Sequence, residues 1–148
     1  MPRSTNQSAT PATARLGGVR WLSGLLGVGL VLYTGVLIVA THLPSVGGMV
    51  RYPGADKVLH VLAYTVLGTL AAAVIHSARG LSLRNVTALL ILLALFAAAD
   101  ELTQPWFSRQ AEGGDWLADC VGFGLGVSVV ALVAARLQQR VNEEKPLP

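Results

Sequence analysis

Residues 21–41, WLSGLLGVGLVLYTGVLIVAT, run from Trp21 to Thr41 without one charged side chain. A helix rises about 1.5 Å per residue, so roughly 20 mostly apolar residues cross a hydrocarbon core about 30 Å thick. This stretch meets that requirement, and three others come close to it: 58–75, 81–99 and 116–135. The second contains His60 as its ionisable group, apart from the weakly acidic Tyr64. The third carries Arg84 one turn from its start, where a long side chain reaches the headgroups. The fourth carries Asp119.

These runs are too long and too rich in Gly, Ala, Leu and Val for helices lying on a membrane surface, and they lack the alternation of outer-membrane strands. The expected fold is all-α, a four-helix transmembrane bundle. Composition agrees: of 148 residues 53% are hydrophobic and 13% charged, against about 25% charged in soluble domains, and the mean hydropathy is +0.57. Such a composition argues against a soluble globule. Residues 1–18, polar and rich in Ser, Thr, Ala and Pro, are expected to form a disordered cytoplasmic tail, 19–137 the membrane domain, and 138–148 a short cytoplasmic tail. The net charge of +3 comes from basic residues flanking the spans, not from a basic patch with interleaved aromatics. The expected partner is therefore the lipid bilayer and not nucleic acid. The lone Cys120 makes no intramolecular disulfide, and a small buried side chain is its expected role. Neither a cofactor nor an oligomeric state is specified by any motif.

Four spans put both termini on one side. Arg3, Arg15, Arg20, Arg79, Arg84, Arg136, Arg140 and Lys145 fall on that side, against Arg51, Lys57 and Arg109 on the other. The positive-inside rule places the larger group, and both termini, in the cytoplasm. The connections 42–57 and 100–115 then share the outer face.

That face gathers the acids. The stretch ADELTQPWFSRQAEGGDWLAD, residues 99–119, holds five of the eight acidic residues, and Asp56 is a sixth at the same surface. Asp56, His60 and Tyr64 follow i, i+4, i+8 spacing, one helical face descending into the second span, with Lys57 beside it. Glu101 and Gln104 share a face if the third helix continues one more turn, although Pro105 argues that it stops there. Asp115, Asp119, Gly122 and Gly126 follow i, i+4, i+7, i+11, with the glycines suited to close packing against a neighbouring backbone. Asp115 also suits a helix cap, Trp106 and Trp116 interfacial anchoring, Glu112 a solvated loop charge, and His42 and His76 interfacial positions. Asp119 lies about one turn, roughly 6 Å, below Asp115 and needs a partner or a proton; Arg109, Lys57 and His60 are available.

Together DKVLHVLAY, DELTQPWFSR and DWLADCVGFGLG resemble the signature segments of the VanZ-like membrane protein family. The family pattern is Asp-Lys-x-x-His-x-x-x-Tyr, an acidic pair followed by Gln, a loop Arg, and Asp-x-x-x-Asn with spaced glycines. The likeness spans roughly 20–137. It implies a small integral membrane protein of the cell envelope, of a kind associated with glycopeptide resistance, and no particular reaction. Asp119 stands where the family commonly has Asn, and Ser108 where it commonly has Gly.

Three readings remain open at the level of sequence. In the first, Asp56, Lys57, His60, Tyr64, Glu101, Gln104, Arg109, Asp115 and Asp119 form an outer-face site that recognises or modifies a lipid headgroup or cell-wall precursor. Lys57 and Arg109 would hold an anionic group there, and His60 or a carboxylate would be the base if there is a reaction. No nucleophile motif or phosphate loop assigns one. The second is ion or proton transport, which the absence of mid-depth charge in spans one and three disfavours; a metal site using His60, Glu101, Asp115 or Asp119 is a narrower variant, but with one well-placed His and no dense ligand spacing no residue is assigned to a metal. In the third, the polar cluster only fixes helix packing.

Overall fold

The computed structural model describes residues 11–43 and 54–144, with side chains from Trp21 onward. They form α1 (Pro11–His42), α2 (Ala55–Arg79), α3 (Leu83–Thr103), a single 3₁₀ turn (Gln104–Phe107) and α4 (Gly113–Glu143), with no strand among the described residues. All four helices are long and apolar enough to cross a membrane.

Local chemistry explains the boundaries. Pro11 opens α1, a position where its missing N–H costs nothing. Residues 11–18, expected to be disordered, are therefore helical, and the rest of that tail lies outside the described residues. The helix α2 runs from the left-handed Gly54 to Gly80, both at positive φ. At the start of α3 the Ser82 side chain accepts a hydrogen bond from the Asn85 N–H at 3.2 Å. Pro105 cannot donate to the carbonyl of Glu101, so α3 gives way at Gln104 to a tighter turn, which ends on Ser108 at φ 61°. α4 continues to Glu143, beyond the expected domain edge, and its last residues are exposed.

Each helix buries one stripe. On α2 it is His60, Tyr64, Leu67, Gly68, Ala71 and Ala72, and on α4 Asp115, Ala118, Asp119, Gly122, Phe123, Gly126 and Val127. Leucines and valines on the opposite faces, such as Val31, Leu95 and Leu132, point outward, the pattern of a bundle whose solvent is hydrocarbon. Lipid tails are as apolar as leucine, so burial adds little and close packing with interhelical hydrogen bonds holds such a bundle together.

The closest contact is α2 on α4, and glycine makes it possible. A Cβ on Gly122 would stand 2.6 Å from the Val61 carbonyl oxygen, and one on Gly126 would run into the Thr65 carbonyl oxygen. The α3 helix is tied to α4 by Trp116, whose Nε1 donates to the Ala94 carbonyl at 3.1 Å. Trp116, expected to anchor at the interface, thus also makes an interhelical bond, whereas the Trp106 side chain is exposed. The helix α1 packs mainly on α2, where the Tyr33 hydroxyl donates to the Ala63 carbonyl at 2.8 Å. Of its described side chains only Leu37 and Thr41 are buried.

Candidate functional site

The C-terminal ends of α1 and α3 and the N-terminal ends of α2 and α4 meet in one polar layer. His60 and Tyr64, one turn apart on α2, stack nearly parallel with ring centroids 6.0 Å apart. His60 Nδ1 lies 2.8 Å from Asp119 Oδ1 on α4, and its Nε2 lies 3.7 Å from Asp115 Oδ2. The Tyr64 hydroxyl donates to Asp100 Oδ2 at 2.9 Å. Asp119 and Tyr64 are fully buried, and His60, Asp100, Glu101, Gln104 and Asp115 are buried with them.

Glu101 is held through both oxygens. Gln104 Nε2 donates to Oε1 at 3.1 Å, so the extra turn allowed by the sequence brings the two side chains together in the form of the 3₁₀ turn. The Glu112 backbone N–H donates to Oε2 at 3.0 Å, fixing the loop between α3 and α4. Two buried acceptors have no hydrogen-bond partner among the described residues: Asp119 Oδ2 and Gln104 Oε1. One ligand atom each from His60, Glu101 and Asp119 lie within 4.8 Å of one another. Buried groups of this kind are nearly always paired, so each unpaired atom calls for an explanation.

Above this layer Lys57 Nζ gathers three carboxylates: Asp115 at 2.9 Å, Asp56 at 3.1 Å and Glu112 at 3.1 Å. Asp56 and Glu112 are half exposed and Asp115 is buried, so the cluster forms a charged mouth over His60. Its aliphatic stem lies against Gly114, where an added Cβ would stand 2.9 Å from Lys57 Cε.

Three expectations need correction. Asp115 is no helix cap: Glu112 occupies the cap position without a side-chain bond, and Asp115 sits in the first turn, where its charge opposes the dipole while it pairs with Lys57. Glu112 is not merely solvated, being bound to Lys57. Arg109 joins none of the acids among the described residues; its Nη1 donates to the Thr41 carbonyl at 2.8 Å, satisfying the last turn of α1. With Lys57 surrounded by carboxylates and Arg109 directed to a carbonyl, the expected clamp for an anionic group is not formed.

The residues overlooked at the level of sequence lie on α1. Thr41 Oγ1 donates to Asp100 Oδ1 at 3.0 Å, His42 Nδ1 lies 3.6 Å from the same oxygen, and His42 Nε2 lies 2.9 Å from Thr103 Oγ1. The available signal was a Thr-His pair closing span one at the depth where Asp100 closes span three. Beside them opens an apolar groove of about 630 Å³, lined by Ile38, Val39, Phe96, Ala99, Trp106 and Phe107 and bordered by His42, Asp100 and Thr103.

Among family models, curated proteins and solved structures, none matches this chain.

Proposed function

We propose that this integral membrane protein is a VanZ-like protein of the cell envelope, with both termini in the cytoplasm, whose outer-face polar site recognises or modifies the headgroup of an amphiphile, a phospholipid or a lipid-linked cell-wall precursor. The observation that carries this reading is the adjacency of two environments. An apolar groove open along α1, α3 and the 3₁₀ turn is bordered by Asp100, and Asp100 connects through Tyr64 to the ring stack and the His60–Asp119 pair. An acyl or prenyl chain fits the groove while its headgroup reaches the polar layer. Small-molecule sites have this composition, mostly apolar walls with a few convergent polar groups.

The family reading is supported by the meeting of its three resembling segments at one end of the bundle. It is supported also by Ser108, which takes the left-handed conformation at the position where the family commonly has Gly. The orientation rests on the asymmetry of the basic residues.

Binding of lipid-linked precursors and of phospholipids to the detergent-purified chain, followed through tryptophan fluorescence, tests the reading, since Trp106 lines the groove. Ala99→Phe should fill the groove and Asp100→Asn should weaken its polar border, and both should lower affinity in a folded protein. Unchanged binding in both variants rejects the site.

A further inference from the structure

The polar layer holds more buried negative charge than its neighbours balance. Asp100, Glu101, Asp115 and Asp119 are all buried. Among the described residues the ion pairs to them come from Lys57, which reaches only Asp115, and from the imidazoles of His42 and His60. A buried carboxylate without a compensating charge is costly, so such groups are usually paired or coordinate a metal. Glu101 on α3 and Asp119 on α4 face His60 on α2, with no Lys or Arg ion pair to either among the described residues.

We propose that His60, Glu101 and Asp119 form a binding site for a divalent transition-metal ion of the zinc or manganese class, with Gln104 Oε1 as an adjacent fourth oxygen. Three observations converge. The ligand atoms of the three residues lie within 4.8 Å of one another, and tetrahedral ligands at about 2.0–2.2 Å from one ion stand about 3.4 Å apart, so binding draws the set inward by rotation of the side chains. Gln104 is fully buried, its Nε2 is fixed on Glu101 Oε1, and its Oε1, on the same amide and so close to that carboxylate, has no hydrogen-bond partner among the described residues. Asp119 Oδ2 is in the same condition.

A carboxylate for the outer shell lies nearby. His60 Nδ1 and Asp119 Oδ1, now 2.8 Å apart, would part by a few tenths of an ångström to take the ion in place of the proton between them, which leaves to solvent. Asp115 Oδ2, 3.7 Å from His60 Nε2, would close to hydrogen-bond distance to give the carboxylate–imidazole–metal order found around bound ions. One imidazole with carboxylate and amide oxygens suits zinc or manganese better than a soft, thiolate-seeking ion. The half-exposed Asp56 and Glu112 above the cluster supply an acidic entrance. The proposal concerns the same polar layer as the headgroup reading but does not use the groove.

The test uses the full chain in detergent, stripped with EDTA and titrated with ZnCl2 and MnCl2 alone, by calorimetry and by metal analysis after desalting. Wild type should retain about one ion per chain. His60→Asn keeps a donor for Asp119 and removes the imidazole ligand; with Glu101→Gln it should weaken binding at least about tenfold. Glu143→Gln, exposed at the far end of α4, should bind as wild type does. No retained ion in wild type, or unchanged affinity in both folded variants, overturns the site, as does an equal loss of binding in Glu143→Gln. Co2+-loaded wild type needs no substitution: a protein-bound nitrogen and oxygen ligand spectrum supports the site, and the spectrum of the free aqueous ion rejects it. No lipid is added, so loss of metal binding and loss of headgroup binding are separate results.

Discussion

His60 and Asp119 are 59 positions apart in the chain and 2.8 Å apart in space, joining α2 to α4 near the N-terminal ends of both helices. The bond is buried, so each partner is satisfied chiefly by the other. Asp119→Asn keeps a carbonyl oxygen to accept from His60 Nδ1 and should fold with a stability close to wild type. Asp119→Ala leaves the imidazole unpaired and should cost about 1–3 kcal/mol. Thermal unfolding in detergent decides it, and an Ala variant as stable as wild type would show that the pair adds nothing to packing.

The α2–α4 contact makes a sharper prediction because the same helix carries its own control. Gly126→Ala pushes a methyl group into the backbone of α2, whereas a Cβ on Gly124 meets nothing within 4 Å. The first should destabilise by about 1–3 kcal/mol through overpacking. The second should be neutral or gain up to about 1 kcal/mol from helix propensity. Equal stabilities for the two variants would contradict the close approach.

Lys57 and Arg109, equivalent as cations in the sequence, should behave differently. Removing Lys57 in Lys57→Ala strands the buried Asp115 and releases Asp56 and Glu112 to repel each other. Arg109→Ala breaks one charge-assisted bond to the Thr41 carbonyl, worth about 1.5–3 kcal/mol. Lys57→Ala should therefore show the stronger dependence of melting temperature on salt, because added ions screen the carboxylates left together. The reverse order would mean that Arg109 is the cation serving the acids.

Ser108 is the one non-glycine residue at positive φ among those described. The left-handed conformation costs an L-residue roughly 1–2 kcal/mol, and a glycine there gives back part of that gain through its freer unfolded chain. Ser108→Gly should raise stability by less than about 1 kcal/mol, and Ser108→Val should lower it. A stabilising valine would place this turn in another conformation.

Orientation can be read in intact cells. Ala111, exposed in the loop before α4, becomes a reporter as Ala111→Cys in a Cys120→Ala background. An impermeant thiol reagent should label it without permeabilisation. Labelling only after permeabilisation would turn the polar layer to the cytoplasm.

Much of this was written in the sequence, because hydrocarbon imposes a simple rule. Backbone groups in lipid must be satisfied without water, so four long apolar runs that lack the alternation of barrel strands can only be four helices. Period 3.6 then placed His60 and Tyr64 on one buried face, and Asp119, Gly122 and Gly126 on another, without any knowledge of the neighbours. Pro105 marked the end of α3 for a reason internal to its own ring.

Only the tertiary structure decided which charge meets which. Asp119 had three possible partners along the chain, and helix packing chose His60 because α2 and α4 approach through glycine until the two side chains touch. Arg109 could not be excluded by spacing, and it turned to the end of α1 instead. Thr41 and His42 carried no motif, yet they complete the layer around Asp100 because α1 ends at the same depth as α3. Periodicity fixes a face along one helix, but the rotation and depth of each helix against the others come from backbone contact and buried hydrogen bonds between segments distant in sequence, which a linear pattern does not contain.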